Sequence, residues 1–287
     1  MLGHKLWQSF RTLFDTHVTF RKPPETYEGL GLYEMSRALG NVSAEDFSSI
    51  ERSLETVRPE VVVNCIGIVK QDPGALDPLA SITVNALLPH RLARACSGAG
   101  ARLIHLSTDC VFSGVKGNYS ETDAPDAHDL YGRTKLLGEV GGQDCLTIRT
   151  SMIGRELKGS HGLLEWFLSQ EGGRVLGFEN AIFSGLTTGA LADVLAEAIS
   201  HHADLSGVWH VAAAPISKYD LLSLIKETYK LTIAIEPDEE FLCDRSLDGQ
   251  RFREQTGIHA PSWTEMIERM RADPTPYEKM RSVHAAR

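Results

Sequence analysis

The sequence predicts an α/β fold built on a doubly wound, mostly parallel sheet. Continuous apolar runs of strand length, "RPEVVVNCIGIV", "ARLIHLSTDCVF" and "CLTIRTSMIG", recur through the first half. Amphipathic segments with helical spacing lie between them. Strands buried on both faces and alternating with helices indicate a parallel sheet with right-handed crossovers and helices on each side.

The elements follow in order. "HVTF" (17–20) reads as a short strand and "RKPPETYEG" as the loop after it. In "SAEDFSSIERSLETV", Phe47, Ile50, Leu54 and Val57 mark one helix face, with Ser43 as the expected cap. "RPEVVVNCIGIV" is expected to be a strand buried on both faces. "ITVNALLPHRLARACSGAG" is the next helix, stopping at Gly98 or Gly100. "ARLIHLSTDCVF" is a strand, "LYGRTKLLGEVGG" a helix and "CLTIRTSMIG" a strand. After residue 151 the pattern loosens. "GLLEWFLSQE" and "GALADVLAEAISHH" look helical, "GVWHVAA" looks like a strand, "SKYDLLSLIKETY" is a capped helix, and a Pro-rich charged tail closes the chain. This divides the chain into a sheet domain, 1–151, and a smaller lobe, 152–287, partly interleaved with the sheet.

Composition narrows the function. The 287 residues are 42% hydrophobic and 23% charged, enough for a sizeable core. A net charge of −9 supplies no broad basic face for nucleic acid. No apolar run approaches the ~20 residues that span a bilayer, and the polar start is no secretory signal. The five cysteines, at 65, 96, 110, 145 and 243, contain no CxxC pair, so neither a metal site nor a disulfide framework is indicated. A reducing cytoplasm is the expected compartment.

Two motifs carry chemistry. In "DLYGRTKLLGE", Tyr131 and Lys135 are four apart and share a helix face, about 6 Å apart along the axis. A lysine ammonium near a phenol is expected to lower the phenol pKa, making Tyr131 a general acid or base. In "LIHLSTDCVFSG", Ser107, Thr108 and Asp109 stand at the carboxyl end of a buried strand, where ligands bind in doubly wound sheets. The first motif alone is weak; strand, hydroxyl and Tyr-x-x-x-Lys together are much more specific.

With "VNCIGIVKQ", "VNALLPHRLARAC", "LIHLSTDCVFSGVKGNYSETDAP", "YGRTKLLGE" and "TIRTSMIGRE", the chain resembles an extended short-chain dehydrogenase/reductase. The likeness runs on through "FSGLTTGALADVLAEAI", "GVWHVAA" and "DRSLDGQRFREQTGI", and its nearest group is the dTDP-4-dehydrorhamnose reductase type. The resemblance implies a Rossmann-like sheet and reduction of the 4-keto group of a nucleotide-linked 6-deoxy sugar, in polysaccharide precursor synthesis. It implies that Tyr131 donates a proton to the carbonyl oxygen, that Lys135 tunes Tyr131 and binds the nicotinamide ribose, and that Thr108 holds the carbonyl oxygen. Asp109 and Met152 would face the sugar. Cys65, Ile66 and Gly67 would line the adenosine side of the cofactor, and Asn85 would sit behind the active site. Asp109 is followed by Cys110 rather than by the glutamate of sugar-nucleotide dehydratases, which favours plain reduction. Such reductases usually carry tyrosine at Cys110 and tryptophan at Met152, which leaves the sugar open.

Arg21 and Lys22, with no acid after the second strand, favour NADP(H) over NAD(H). Alternatives on the same scaffold are a sugar-nucleotide epimerase and a non-catalytic NADP-binding regulatory subunit. A homodimer is compatible with all three. In this superfamily the first strand runs into a glycine turn, G-x-x-G-x-x-G. "MLGHKLW" fits only its end, with Gly3 as the third glycine against the cofactor. The expectation is a sheet lacking its first strand and part of that turn, roughly ten residues, with weakened cofactor binding.

Overall fold

The computed structural model of the chain describes residues 1–70 and 73–285. It opens with helix α1 (Leu2–Phe10), whose Leu2, Leu6 and Phe10 repeat every four positions and form one buried stripe. Strands β1 (Val18–Thr19) and β2 (Ala38–Leu39) follow, then helix α2 (Phe47–Val57) and strand β3 (Val61–Asn64). Helix α3 (Leu88–Ala99), strand β4 (Arg102–Thr108), helix α4 (Leu130–Leu137) and strand β5 (Cys145–Thr150) complete the first half. The second half supplies helix α5 (Thr188–His201), strand β6 (Gly207–His210) and helices α6 (Lys218–Tyr229), α7 (Trp263–Arg271) and α8 (Tyr277–Ala285). Among the described residues no helix is long and apolar enough to cross a membrane.

Strands β3, β4, β5 and β6 lie side by side, all parallel, with β6 from the second half beside β5. β1 and β2 form a separate parallel pair. Alternation along the strands serves two cores. Ile104, Leu106, Leu146 and Ile148 face the cluster that holds Leu2, Leu6 and Phe10 of α1 and the apolar side of α5. Leu103 and Cys145 face the cluster of α2 and α3. The doubly wound α/β architecture is therefore as expected.

Three local expectations are corrected and one is narrowed. The apolar run at 58–69 is a strand only over Val61–Asn64, and its valines are half-buried rather than sealed on both faces. Among the described residues β3 pairs with β4 alone, so it is an edge, and Ile66 and Val69 continue as an exposed loop. Ser43 does not cap α2. That helix starts at Phe47 after Asp46, while the Ser43 hydroxyl accepts from the Asp46 N–H at 3.2 Å and shapes the preceding turn. Of the two candidate stops for α3, Gly100 is the one used, at φ 71, the left-handed geometry that glycine adopts without strain. The Pro-rich tail is helical: α7 is capped by Ser262, and α8 begins after Pro276. It docks on α1 through His4 Nε2 with the Tyr277 hydroxyl (3.1 Å), Lys5 with Asp273 (2.5 Å) and Gln8 with Thr275 (2.7 Å).

The placement of α4 decides the site. Asp129 caps it, accepting from the Gly132 N–H at 2.8 Å. A β-carbon on Gly132 would stand 2.2 Å from the Cys110 carbonyl oxygen, and one on Gly138 would stand 1.9 Å from that of Asn85. Both glycines are thus required by close approach, and α4 ends at Gly138, earlier than the pattern through residue 142 suggested. Just beyond that end, Glu139 is tied into the sheet. Its Oε1 accepts from the Ser107 hydroxyl of β4 (2.7 Å) and from Arg149 Nε of β5 (2.8 Å), and its Oε2 accepts from Arg149 Nη2 (2.7 Å). Both side chains of this ion pair are only 7% exposed. Arg149 also lies over the Phe112 ring and meets His210 Nε2 of β6 at 3.3 Å.

Breaking a buried pair from one side leaves an uncompensated charge. Arg149→Met is expected to lower unfolding free energy by about 3–5 kcal/mol, measured by denaturant titration. Removing both partners in Glu139→Gln/Arg149→Met should cost less than Arg149→Met alone. A loss below about 1 kcal/mol for the single variant would show that the pair does not hold the fold.

Candidate active site

The cleft forms at the carboxyl ends of β3, β4 and β5, where their backbones diverge into loops. It measures roughly 540 Å³. Thr108 is the last residue of β4, registered against Thr150 of β5. Its hydroxyl accepts from the Cys110 N–H at 3.1 Å and donates to Asp109 Oδ1 at 3.0 Å. Tyr131, in the first turn of α4, and Lys135, one turn later, reach the same end of the cleft. Lys135 is 5% exposed, and its ammonium donates to the Leu106 carbonyl at 2.6 Å. Thr108, Tyr131 and Lys135, singled out from spacing and strand position, are therefore brought together.

The electrostatics correct one expectation. The Tyr131 phenol is not lowered by Lys135, whose ammonium is engaged by the backbone of β4. Burial pushes the phenol above its usual range, with the Thr108 hydroxyl working against the shift. Tyr131 is accordingly a protonated phenol at neutral pH, a donor rather than a base. Burial lowers Lys135 to about 8, opposed by the Glu139 carboxylate. Burial raises Asp109, and the hydrogen bond from Thr108 is the first effect to oppose it.

Cys65, Ile66 and Gly67, after β3, line the same cleft, as do Met1 and Leu2 at the start of α1. Met152 and Asp109 line it as well. Four expected site residues are not among its walls. Gly3 sits inside α1 and only approaches Cys65, its β-carbon position being 3.9 Å away. Asn85 is 1% exposed and clasps the loop from behind. Its Oδ1 accepts from the Ile68 N–H and its Nδ2 donates to the Ile68 carbonyl, both at 2.9 Å. Asn85 lies in a π-helical turn, Ile82–Leu87, just before α3. Arg21 and Lys22 are exposed on the loop after β1, with Arg21 paired to Glu45 at 2.6 Å.

Sequence reasoning missed two cations on the far wall. Lys218, the first residue of α6, stands 4.1 Å over the Phe183 ring, and among the described residues its ammonium forms no ion pair. Arg245 donates through Nε to the Phe112 carbonyl at 2.9 Å, leaving its other nitrogens toward the cleft. The only signal for Lys218 was its place beside the Ser217 cap, and Arg245 lies in a short segment without periodicity. Among the described residues no cluster of His, Cys, Asp and Glu could hold a metal ion.

Comparison with known proteins agrees with this geometry. The model of the RmlD substrate binding domain matches residues 24–275. The dTDP-4-dehydrorhamnose reductase of Escherichia coli K12 is 30% identical over 281 residues, covering 83% of this chain and 92% of its own length. Among solved structures, the dTDP-4-dehydrorhamnose reductase of Bacillus anthracis in complex with NADP superposes with TM-score 0.72 at 20% identity, over 90% of this chain and 99% of that one. The UDP-glucose 4-epimerase of Thermotoga maritima superposes with TM-score 0.76 at 16% identity, over 97% of this chain and 96% of that one, a likeness of fold. The site, the fold and the matched sequence together place the chain in the RmlD family of extended short-chain dehydrogenases/reductases, with the dTDP-4-dehydrorhamnose reductases.

Proposed function

We propose that the chain reduces the 4-keto group of a nucleotide-linked 6-deoxy sugar with NADPH, as the names of its relatives indicate for them. The observation that carries this reading is the convergence of Thr108, Tyr131 and Lys135 on one cleft of roughly 540 Å³. The residues fit a dinucleotide: the start of α1, the 65–67 loop and Lys135 all line this cleft. A bound nicotinamide would supply the hydride.

The chain's own groups handle the oxygen and its proton. Thr108 orients the carbonyl oxygen from the end of β4. The Tyr131 phenol, kept protonated by burial, gives its proton to that oxygen as negative charge develops there. The Lys135 ammonium, held on the Leu106 carbonyl one turn further along α4, leaves a positive charge in the same buried site as the phenolate forms. Asp109 followed by Cys110 offers no second acid for dehydration. Lys218 and Arg245 give the far wall positive charge, suited to a substrate that carries a diphosphate. Arg21 and Lys22, with no acid before Pro23, support NADP(H) over NAD(H).

The test is NADPH oxidation by the purified chain with a panel of dTDP- and UDP-linked 4-keto-6-deoxyhexoses. Oxidation with one of them is expected; none with any, or interconversion without net NADPH consumption, would reject reduction in favour of another reaction. Tyr131→Phe should lose roughly 10²-fold or more in kcat while still binding NADPH. A Phe variant with unchanged kcat removes Tyr131 from the proton transfer. Because Lys135 works as the ammonium and loses its proton as pH rises through about 8, kcat/KM should fall on that limb. A profile flat to pH 10 would contradict the role given to Lys135.

A further inference from the structure

The reading of Tyr131 and Lys135 leaves one buried acid unaccounted for. Glu139 follows Lys135 by four positions, just past the end of α4. It neither lines the cleft nor reaches solvent. A carboxylate so placed costs free energy unless it is fully bonded. Here both oxygens are bonded, and the donors come from the two strands that carry the site. The Ser107 hydroxyl belongs to the residue before Thr108, and Arg149 belongs to the residue before Thr150. Lys135 in turn donates to the carbonyl of Leu106, the residue before Ser107. Two consecutive residues of β4 are therefore gripped by two residues four positions apart, one on α4 and one just past its end.

We propose that Glu139 is a positioning residue for the reduction. Its carboxylate registers α4 on β4, so that Tyr131 meets Thr108, and it supplies the negative charge that keeps the buried Lys135 an ammonium.

The surroundings single out Glu139 for the second part. The charged and titratable groups that act with Lys135 are Glu139 from its own segment and His105 from β4. His105 is fully buried and held well below its ordinary value, chiefly by burial, so it supplies no anion, and His90 of α3 acts on His105. Arg149, across Glu139, is a further cation. Glu139 faces Ser107, Arg149 and, through Arg149, His210, whose Nδ1 side bonds the Tyr119 carbonyl and whose backbone N–H bonds Glu121. Among these groups Glu139 is the anion identified as raising Lys135.

Glu139→Gln tests this role, because glutamine removes the charge and keeps one acceptor oxygen for Ser107 and Arg149 Nε, giving up only the acceptor for Arg149 Nη2; the Lys135 titration is the readout that a lost hydrogen bond alone would not move. Two readouts are taken on the full chain. The first is the titration of Lys135, followed by NMR of ¹³C-labelled lysine and assigned with Lys135→Arg. The second is the basic limb of kcat/KM. Both are expected to move down by one pH unit or more in Glu139→Gln, with kcat at neutral pH reduced and KM little changed. If Glu139→Gln folds poorly, Glu139→Gln/Arg149→Met is compared with Arg149→Met, so that both proteins lack the cation and differ only in the charge at 139, and the same downward shift is expected between them. An unchanged Lys135 titration in either comparison of folded proteins overturns the proposal and leaves the reductase reading standing. Absence of turnover in the wild-type chain, with the titration shifted as expected, sinks that reading and leaves the Glu139 effect intact.

Discussion

The site depends on how closely one short helix can approach two backbone carbonyls. Helix α4 rests on the Cys110 carbonyl through Gly132 and on the Asn85 carbonyl through Gly138. Any side chain at either glycine would push the helix outward, since carbonyl oxygens fixed in a 3₁₀ turn and a π-helical turn have little room to retreat. This contact brings Tyr131 to the end of β4 and puts Lys135 under it. It also explains why a helix of only Leu130–Leu137 serves: tertiary contact replaces the length that helix propensity alone would need.

Once α4 is that close, burial sets the chemistry. The Tyr131 phenol loses water and keeps its proton, while Lys135 loses water and its ammonium gives up a proton more readily than that of an exposed lysine. The pairing yields a proton donor backed by a positive charge, which suits adding a proton to an oxygen that becomes anionic. Lys218 and Arg245, which form no ion pair within 4 Å among the described residues, act with the buried Asp109 and bring two cations to the cleft although the chain as a whole is acidic. Local field and net charge are separate matters here.

Much of the arrangement was legible because it rests on local pattern. The buried strands β4 and β5 read as apolar runs, α2 and α6 as amphipathic helices, and Thr108, Tyr131 and Lys135 as strand end and helix face. What was not legible rests on contacts between distant segments. The run after Arg58 is equally apolar whether its strand is central or an edge, and only pairing decides that. The tail from Asp273 to Tyr277 looks like a charged linker until Lys5, His4 and Gln8 of α1 meet it. Spacing placed Lys135 beside Tyr131 but not the Leu106 carbonyl that takes its ammonium, so the sign of the Tyr131 shift was misread. Glu139 stood in the quoted motif, yet its partners Ser107 and Arg149 come from two other strands. Asn85, expected behind the active site, clasps the Ile68 backbone there, a pairing that spacing could not show.

The most direct measurement of this account is the kcat of Gly132→Ala, alongside its thermal unfolding and NADPH affinity. A methyl group 2.2 Å from the Cys110 carbonyl oxygen has to displace α4. The account predicts a folded protein that still binds NADPH and whose kcat falls by roughly 10²-fold, the order expected when reacting groups are misplaced by about 1 Å. A folded Gly132→Ala protein with wild-type kcat would show that the close seating of α4 does not set the chemistry.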